Sequence, residues 1–208
     1  MTTSGASASG DASAHARSSN WNVPNAITVV RIIMAPIFIW MVLADGGADG
    51  ALRWWSAVVF IVAIATDGID GHIARSRGIV TDLGKLLDPI ADKVLTGGAL
   101  VALSILGELP WWVTIVILVR EVGITVHRFI VVSDHVVAAA WMGKLKTVVQ
   151  AVAISLALLP FDRVFGDWVF WVNGIAMAAA LILTVASGID YVITAVRGAK
   201  ADRGAATK

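Results

Sequence analysis

Six long apolar segments constrain the fold of this 208-residue chain more than any other feature of its sequence. A helix needs about 20 predominantly apolar residues to cross the hydrocarbon core of a bilayer. With 58% hydrophobic and 15% charged residues, the chain is more apolar than an ordinary soluble domain. Turns rich in Gly, Pro and Asp separate the segments. The sequence therefore predicts an all-α integral membrane protein with six transmembrane helices, at residues 26–44, 52–74, 86–107, 111–132, 145–161 and 168–196.

Composition excludes several functional classes. The chain has no cysteine, so disulfides, thiolate metal sites and a cysteine nucleophile are ruled out. It has no basic tract of the kind that binds nucleic acid, and no nucleic-acid partner is expected. Residues 1–20 are rich in Ser, Ala, Thr and Gly and are predicted to form a disordered tail. Residues 21–197 would then form the membrane domain, and residues 198–208 a cytoplasmic C-terminal tail.

Lys and Arg residues are unevenly distributed between the two predicted sides of the membrane. With six crossings both termini lie on one side, which carries most of the basic residues, whereas the opposite loops carry Arg53 and Arg163. An excess of basic residues marks the cytoplasmic side. The second apolar run, from Trp54 to Ala65, covers only about 18 Å at about 1.5 Å per residue, so the helix must continue through the acidic residues that follow, which lie near one membrane face and not at the midplane. The sequence therefore predicts both termini, and an active site, near the cytoplasmic face.

Four aspartates follow or begin two of these apolar helices. Asp67 and Asp70 are three residues apart and Asp88 and Asp92 are four apart, so each pair shares one face of a helix. Ionisable side chains inside membrane segments are costly and indicate functional sites. Four carboxylates can share a low-dielectric site only if cations neutralise them or some are protonated. Oxygen-only ligands favour a hard cation, so the pattern predicts bound Mg²⁺ or Mn²⁺.

Small residues interrupt the same stretch and allow two interpretations. Gly71 and Ala74 share a helical stripe with the first two aspartates, and Gly84 precedes the second pair. Such residues permit either tight helix–helix packing or the close approach of a ligand. Arg75 can bind a phosphate with bidentate geometry, or it can be a basic anchor at the membrane surface. The neighbouring carboxylates favour ligand approach and phosphate binding.

A second group of charges lies in the fourth and fifth segments. Arg120 and Glu121 interrupt the fourth segment, Arg128 follows two turns later, and Lys144 and Lys146 open the fifth. Glu121 can simply neutralise Arg120 in an internal ion pair, and the lysines can be anchors at the membrane surface. Alternatively, several cations that face a carboxylate–metal centre would form an anion pocket for a phosphorylated acceptor.

The complete acidic motif resembles the signature of the CDP-alcohol phosphotransferase family. Every fixed position of the pattern D-x2-D-G-x2-A-R-x8-G-x3-D-x3-D is filled, by Asp67, Asp70, Gly71, Ala74, Arg75, Gly84, Asp88 and Asp92. The resemblance covers residues 20 to about 197 and includes the segments 22–31, 87–93, 111–112, 120–121 and 143–147. Those segments are similar to the ones found in bacterial members that make phosphatidylglycerophosphate.

This resemblance implies an activity and an environment. The expected reaction transfers a phosphatidyl group from CDP-diacylglycerol to sn-glycerol 3-phosphate and gives phosphatidylglycerophosphate and CMP. The expected location is the bacterial cytoplasmic membrane, with membrane lipids around a multi-pass protein. The family also implies a homodimer.

The resemblance further implies roles for individual residues. Asp67, Asp70, Asp88 and Asp92 would hold the divalent ions, expected to be two, and Asp92 would also be the general base for the acceptor hydroxyl. The contacts to CDP-diacylglycerol would come from Asn25, Thr28, Arg31, Gly71, Ala74, Arg75, Thr81 and Gly84. The candidates for binding the acceptor phosphate are Arg120, Arg128, Lys144, Lys146 and Arg197.

Two alternatives lie within the family and one lies outside it. The acceptor could be inositol phosphate, or phosphatidylglycerol in cardiolipin synthesis. The remaining alternative is a cation channel or transporter lined by carboxylates. Against it, the aspartates are predicted at one membrane face, and the last three segments contain no matching acidic site.

Overall fold

The computed structural model describes the backbone of residues 23–76, 82–130 and 140–206, and the side chains of residues 25–66, 84, 87–127 and 141–198. The predicted tail at residues 1–20 lies outside these ranges. Within them the chain forms helices and turns and no strand, as an all-α protein requires. The helices are α1 (Val23–Asp45), α2 (Ala51–Ser76), α3 (Asp82–Ile105), α4 (Trp111–Ile130), α5 (Ala140–Leu158), α6 (Asp162–Phe165) and α7 (Trp168–Ala206).

Each predicted apolar segment corresponds to one long helix, and the short α6 is an addition between the last two. The helix ends differ from the predicted ones mainly where polar residues continue a helix: α3 begins at Asp82 and α7 extends to Ala206. Three helices in the described part are long and apolar enough to cross a membrane: Asn25–Asp45, Trp141–Leu158 and Trp168–Gly198. The apolar stretch of α2 within the described side chains, Ala51–Thr66, is shorter.

The turn between α1 and α2 shows how these helices are ended locally. Gly46 and Gly47 have φ values of +62° and +79°, a region that L side chains rarely adopt. The Asp45 carboxylate accepts hydrogen bonds from the backbone N–H groups of Asp49 and Gly50, at 2.9 and 3.0 Å. The two glycines and the aspartate together reverse the chain, so α2 returns alongside α1.

The long helices alternate in direction, and their ends therefore meet in two groups. At one end, the first turns of α1 contact the N-terminal part of α3, since Thr28 hydrogen-bonds Asp88. We call this the motif end, because both aspartate pairs lie towards it. At the other end, the turn after α1 contacts α6, where Arg163 Nε lies 3.2 Å from Asp49 Oδ2. We call this the opposite end.

The helices pack around a core of apolar and small side chains. α1 packs mainly against α2 and α3, α5 against α7, and α4 against α3 and α7. Phe38 of α1 and Phe60 of α2 are fully buried, with ring centroids 5.3 Å apart. The outward surfaces are also apolar, with Trp40 64% exposed and Trp171 78% exposed. A surface of this kind suits contact with lipid rather than water.

Arg53, which the sequence places in a loop, is instead buried at the opposite end. Its side chain is only 2% exposed. Its Nε and NH2 groups donate to the carbonyl oxygens of Leu158 and Ala157, at 2.9 and 3.0 Å, and NH2 also pairs with the Glu108 carboxylate. Burial raises the pKa of Glu108, and the Arg53 charge opposes that effect. Arg53 therefore fastens α2 to the end of α5 and to the α3–α4 turn.

Candidate active site

The four predicted metal ligands lie on the two helices that adjoin the turn at the motif end. Asp67 and Asp70 are in the last third of α2, and their side chains lie outside the described part of the structure. Asp88 and Asp92 are one turn apart on α3, with Asp88 exposed and Asp92 half-buried. No three His, Asp or Glu side chains come together among those that the structure describes. The four-carboxylate site therefore stays a prediction. The structure describes the side chains of its two members on α3, Asp88 and Asp92.

The start of α1 is held against both motif helices by buried polar side chains. Thr28 Oγ1 donates to Asp88 Oδ1 at 2.7 Å, which links α1 to α3. Arg31 Nε donates to the carbonyl oxygen of Ala63 at 3.1 Å, one turn before Asp67 on α2. Asn25, Thr28 and Arg31 are 6%, 1% and 2% exposed. Three of the predicted CDP-diacylglycerol contacts thus lie beside the acidic motif, although they are far from it in sequence.

Of the remaining residues predicted to contact CDP-diacylglycerol, the structure describes the burial of Gly84 alone. Gly84 is buried in the first turn of α3. Gly71, Ala74 and Arg75 belong to the last turns of α2, and their side chains are not in the described set. Thr81 lies outside the described residues.

A cluster of four charged side chains lies next to Asp92, which we call the Glu121 cluster: Lys93, Arg120, Glu121 and Lys146. The Glu121 carboxylate is its centre. Oε1 accepts hydrogen bonds from Lys146 Nζ and from Arg120 NH1, the latter at 2.8 Å. Oε2 accepts one from Lys93 Nζ. Lys93 comes from α3, Arg120 and Glu121 come from α4, and Lys146 comes from α5. The cluster therefore forms only when these three helices pack together.

The cluster is shielded from solvent and extends to α7. The side chains of Glu121 and Lys146 are 6% and 5% exposed. Arg120 NH2 donates to Ser187 Oγ at 2.8 Å. The neighbouring Gly188 makes room for this contact, because a Cβ there would lie 3.2 Å from Arg120 Cγ. Four side-chain atoms in the described part are buried without a hydrogen-bond partner: Arg53 NH1, Arg120 Nε, Gln150 Oε1 and Asn173 Oδ1.

Lys93 connects this cluster with the acidic motif. Its Nζ lies 3.3 Å from Asp92 Oδ2 and also contacts Glu121. The sequence interpretation missed Lys93 as a site residue, although it directly follows Asp92 at the start of the apolar part of α3. That signal could have found it, since an ionisable residue in a membrane helix needs a partner.

The structure brings together only some of the residues proposed for the acceptor phosphate. Arg120 and Lys146 share one oxygen of Glu121. Lys144 is exposed on α5, which continues as a helix through Gly143 and keeps the two lysines on different faces. Arg197 is exposed near the end of α7, and the Arg128 side chain lies beyond the described set.

The cluster carries more positive than negative charge. Three cations contact the Glu121 carboxylate, and one of them, Lys93, also pairs with Asp92, so three cations meet two carboxylates and leave an excess of one positive charge. Unpaired charge in a shielded site is costly unless an anion compensates for it. Chemically, the arrangement can bind an anionic group beside the carboxylates of α3.

Comparison with known proteins agrees with the motif. A family model described as CDP-alcohol phosphatidyltransferase matches residues 21–186. A Mycobacterium tuberculosis (strain H37Rv) protein named "Probable phosphatidylglycerophosphate synthase" is 46% identical over 176 residues, which cover 85% of this chain and 82% of that protein. A Bacillus subtilis (strain 168) protein named "CDP-diacylglycerol--glycerol-3-phosphate 3-phosphatidyltransferase" is 40% identical over 187 residues, covering 82% of this chain and 93% of that protein. A Shigella flexneri protein of the same name is 32% identical over 184 residues.

Proposed function

Because the chain belongs to the CDP-alcohol phosphatidyltransferase family, we propose that it is the enzyme of phospholipid synthesis that joins CDP-diacylglycerol to sn-glycerol 3-phosphate. A hydroxyl oxygen of glycerol 3-phosphate forms a bond to the phosphorus that carries diacylglycerol. The bond from that phosphorus to CMP breaks, and the hydroxyl proton is lost. The observation that carries the choice of acceptor is the 40–46% identity, over most of both chains, to relatives named for this reaction.

The carboxylates of the motif fit a divalent metal as far as the described side chains extend. Asp88 and Asp92 offer only oxygen donors from one side of α3, which suits a hard cation. In the proposal, Asp67, Asp70, Asp88 and Asp92 hold Mg²⁺ or Mn²⁺, as two ions. When bound, these ions supply positive charge that stabilises the pyrophosphate and the leaving CMP.

Asp92 is the proposed general base. Its side chain is 32% exposed, so an acceptor hydroxyl can reach it. Lys93 Nζ lies 3.3 Å from its Oδ2 and links this side chain to the Glu121 cluster. Asp92 is also the residue of the acidic motif that lies next to the Glu121 cluster. The two substrates would therefore meet at Asp92.

Each substrate has its own proposed set of contacts. CDP-diacylglycerol is bound by the start of α1 and by the motif, through Asn25, Thr28, Arg31, Gly71, Ala74, Arg75, Thr81 and Gly84. The phosphate of the acceptor is bound by Arg120 and Lys146, which are already held together. Arg128, Lys144 and Arg197 remain candidates that would act nearer to the entrance of the site.

The placement in the membrane is part of the proposal. All six long helices cross the bacterial cytoplasmic membrane, and the motif end lies at its cytoplasmic face. The water-soluble substrate, glycerol 3-phosphate, and the water-soluble product, CMP, are on that side. Exposed tryptophans support a membrane crossing, because Trp55, Trp112 and Trp168 lie at the opposite end and Trp141 lies at the motif end, as expected of aromatic belts at the two membrane interfaces. A homodimer is the assembly that the family suggests.

An acceptor panel tests the function. The purified full-length protein in detergent, with CDP-diacylglycerol and Mg²⁺, is offered glycerol 3-phosphate, inositol 1-phosphate, serine or phosphatidylglycerol. We expect CMP release and phosphatidylglycerophosphate formation with glycerol 3-phosphate, loss of both in excess EDTA, and recovery with Mg²⁺ or Mn²⁺.

The same experiment separates the alternatives. Greater turnover with inositol 1-phosphate or phosphatidylglycerol would reassign the acceptor. Cation flux through proteoliposomes without CMP release would favour a channel or transporter instead. Full activity in excess EDTA would contradict the metal.

A further inference from the structure

We propose that Glu121 is a positioning residue: it fixes Arg120 and Lys146 as a phosphate-binding pair and connects that pair, through Lys93, to Asp92. This inference rests on the proposed function, since it assigns the acceptor phosphate to the Glu121 cluster. Glu121 itself does not touch the substrates in this proposal. It acts by holding the side chains that bind the acceptor phosphate.

The two oxygens of the Glu121 carboxylate divide the cluster into two parts. Oε1 contacts Lys146 and Arg120, which are the two cations assigned to the acceptor. Oε2 contacts Lys93, whose Nζ also lies 3.3 Å from Asp92 Oδ2. One carboxylate thus sets the distance between the acceptor phosphate and the general base. Such fixed spacing is what two-substrate chemistry requires of its binding residues.

The charge of the cluster argues against a purely structural ion pair. A structural role would be satisfied by one cation for each carboxylate, yet three cations meet the two carboxylates of Glu121 and Asp92. Unpaired charge in a shielded site is costly unless an anion compensates for it. The phosphate of an acceptor would supply that anion beside Asp92.

The positive charge of the Glu121 cluster also bears on which acceptors the site admits. A phosphorylated acceptor such as glycerol 3-phosphate brings an anion that compensates for the excess charge, whereas serine brings no phosphate. The Glu121 cluster would therefore favour phosphorylated acceptors over serine. It does not by itself distinguish glycerol 3-phosphate from inositol 1-phosphate, because both carry the same group.

The test is Glu121→Gln, compared with Glu108→Gln as the matched control. Both substitutions remove a carboxylate that pairs with a partly or fully buried arginine, but Glu108 lies at the opposite end and pairs with Arg53. We expect Glu121→Gln to raise the KM for glycerol 3-phosphate about 10-fold or more, because charge-assisted hydrogen bonds are lost and the cations are released. The KM for CDP-diacylglycerol should change little, and Glu108→Gln should change neither KM.

The direction of the effect is the decisive result. If Glu121 only reduced the positive charge of the pocket, its removal would strengthen phosphate binding and lower the KM for glycerol 3-phosphate. A lower or unchanged KM for glycerol 3-phosphate would therefore overturn the positioning role. So would equal changes in both KM values, which would indicate general damage to the fold.

A double-mutant cycle shows whether Glu121 acts through Lys146. In the Lys146→Met background, Glu121→Gln should have a much smaller effect on the KM for glycerol 3-phosphate than in the wild type. Full additivity would overturn the proposed coupling.

Two further arms keep the result interpretable. If Glu121→Gln does not fold, Glu121→Asp retains the charge but shortens the side chain, and it should still raise the KM for glycerol 3-phosphate; no change would overturn the proposal. If the wild type does not use glycerol 3-phosphate in the acceptor panel, the proposed function fails. If it does and the Glu121 variants behave like Glu108→Gln, the positioning role alone fails.

Discussion

At the scale of single residues, the two lysines at the start of α5 have very different environments. Lys146 is 4% exposed and contacts Glu121, whereas Lys144 is exposed on another face of the same helix. Neighbouring lysines two positions apart on a helix cannot point the same way, since their side chains diverge by about 200°. The continuous helix of α5 keeps that divergence, so these lysines should contribute unequally to binding.

Lys146→Ala and Lys144→Ala measure that difference directly. Loss of a charge-assisted contact to phosphate is worth roughly 1.5–3 kcal/mol, or about 10–150-fold. We expect Lys146→Ala to raise the KM for glycerol 3-phosphate within this range and to leave the KM for CDP-diacylglycerol nearly unchanged in steady-state assays. Lys144→Ala is the control and should resemble the wild type. Equal effects of the two substitutions would contradict the assignment.

Asp92 is the second residue whose role can be separated from that of its neighbours. As a general base it should contribute about 10²–10⁴-fold to the rate. Asp92→Asn keeps the shape of the side chain but cannot take the acceptor proton. We expect kcat to fall by about that factor, while CDP-diacylglycerol binding, measured by calorimetry in detergent, is largely retained. If affinity falls as far as kcat, Asp92 is mainly a metal ligand.

At the scale of helices, α3 is the element on which the site depends. It carries Asp88, Asp92 and Lys93, and it packs against α1 and α4 through two adjacent glycines. A Cβ at Gly97 would lie 3.0 Å from Leu118 Cδ2 of α4, and one at Gly98 would lie 2.4 Å from Ile39 Cδ1 of α1. Small residues at such contacts let membrane helices approach closely. The acidic motif is therefore positioned by close packing on both sides of α3.

Gly98→Leu tests this dependence, with Gly123→Leu as the matched control. Nothing lies within 4 Å of a Cβ built at Gly123. We expect Gly98→Leu to force α1 away from α3 at a cost of about 1–3 kcal/mol, seen as a lower Tm in detergent. The KM for CDP-diacylglycerol should also rise, because the Thr28–Asp88 contact depends on the same packing. An equal fall in Tm for Gly123→Leu would indicate a general cost of the larger side chain instead.

At the scale of the whole molecule, the arrangement of the two ends leads to a test of orientation. The chain has no native cysteine, so single cysteines can be introduced without background. Ala48, in the exposed turn after α1, belongs to the opposite end, and Ser18 belongs to the N-terminal region that the positive-inside rule places in the cytoplasm. In intact spheroplasts, a membrane-impermeant maleimide should label Ala48→Cys and should label Ser18→Cys only after lysis. The reverse labelling pattern would place the active site on the outer side.

The sequence predicted the helical class and the approximate position of each long helix in the part of the chain that the structure describes, because length and hydropathy are local properties. It was incomplete where a polar residue continues a helix, as at the start of α3 and the end of α7. It also placed Arg53 in a loop, whereas packing of α2 against α5 buries that side chain. For the site, it identified Arg120 and Lys146 but grouped them with Lys144 and overlooked Lys93. The shared helix face of Asp67 and Asp70 stays a prediction, because their side chains lie outside the described part.

By itself, the sequence determined that this chain is apolar and helical and that its motif is that of the CDP-alcohol phosphatidyltransferases, and it predicted that the members of each aspartate pair share a helix face. Hydropathy is a local property, and so is spacing along one helix, where residues three or four apart are neighbours. Only the tertiary structure decided which charges meet. Lys93 and Lys146 lie 28 and 25 positions from Glu121, and Arg53 lies 55 positions from Glu108. Contacts over such separations depend on how each helix is rotated and packed against its neighbours, and no local spacing specifies that rotation.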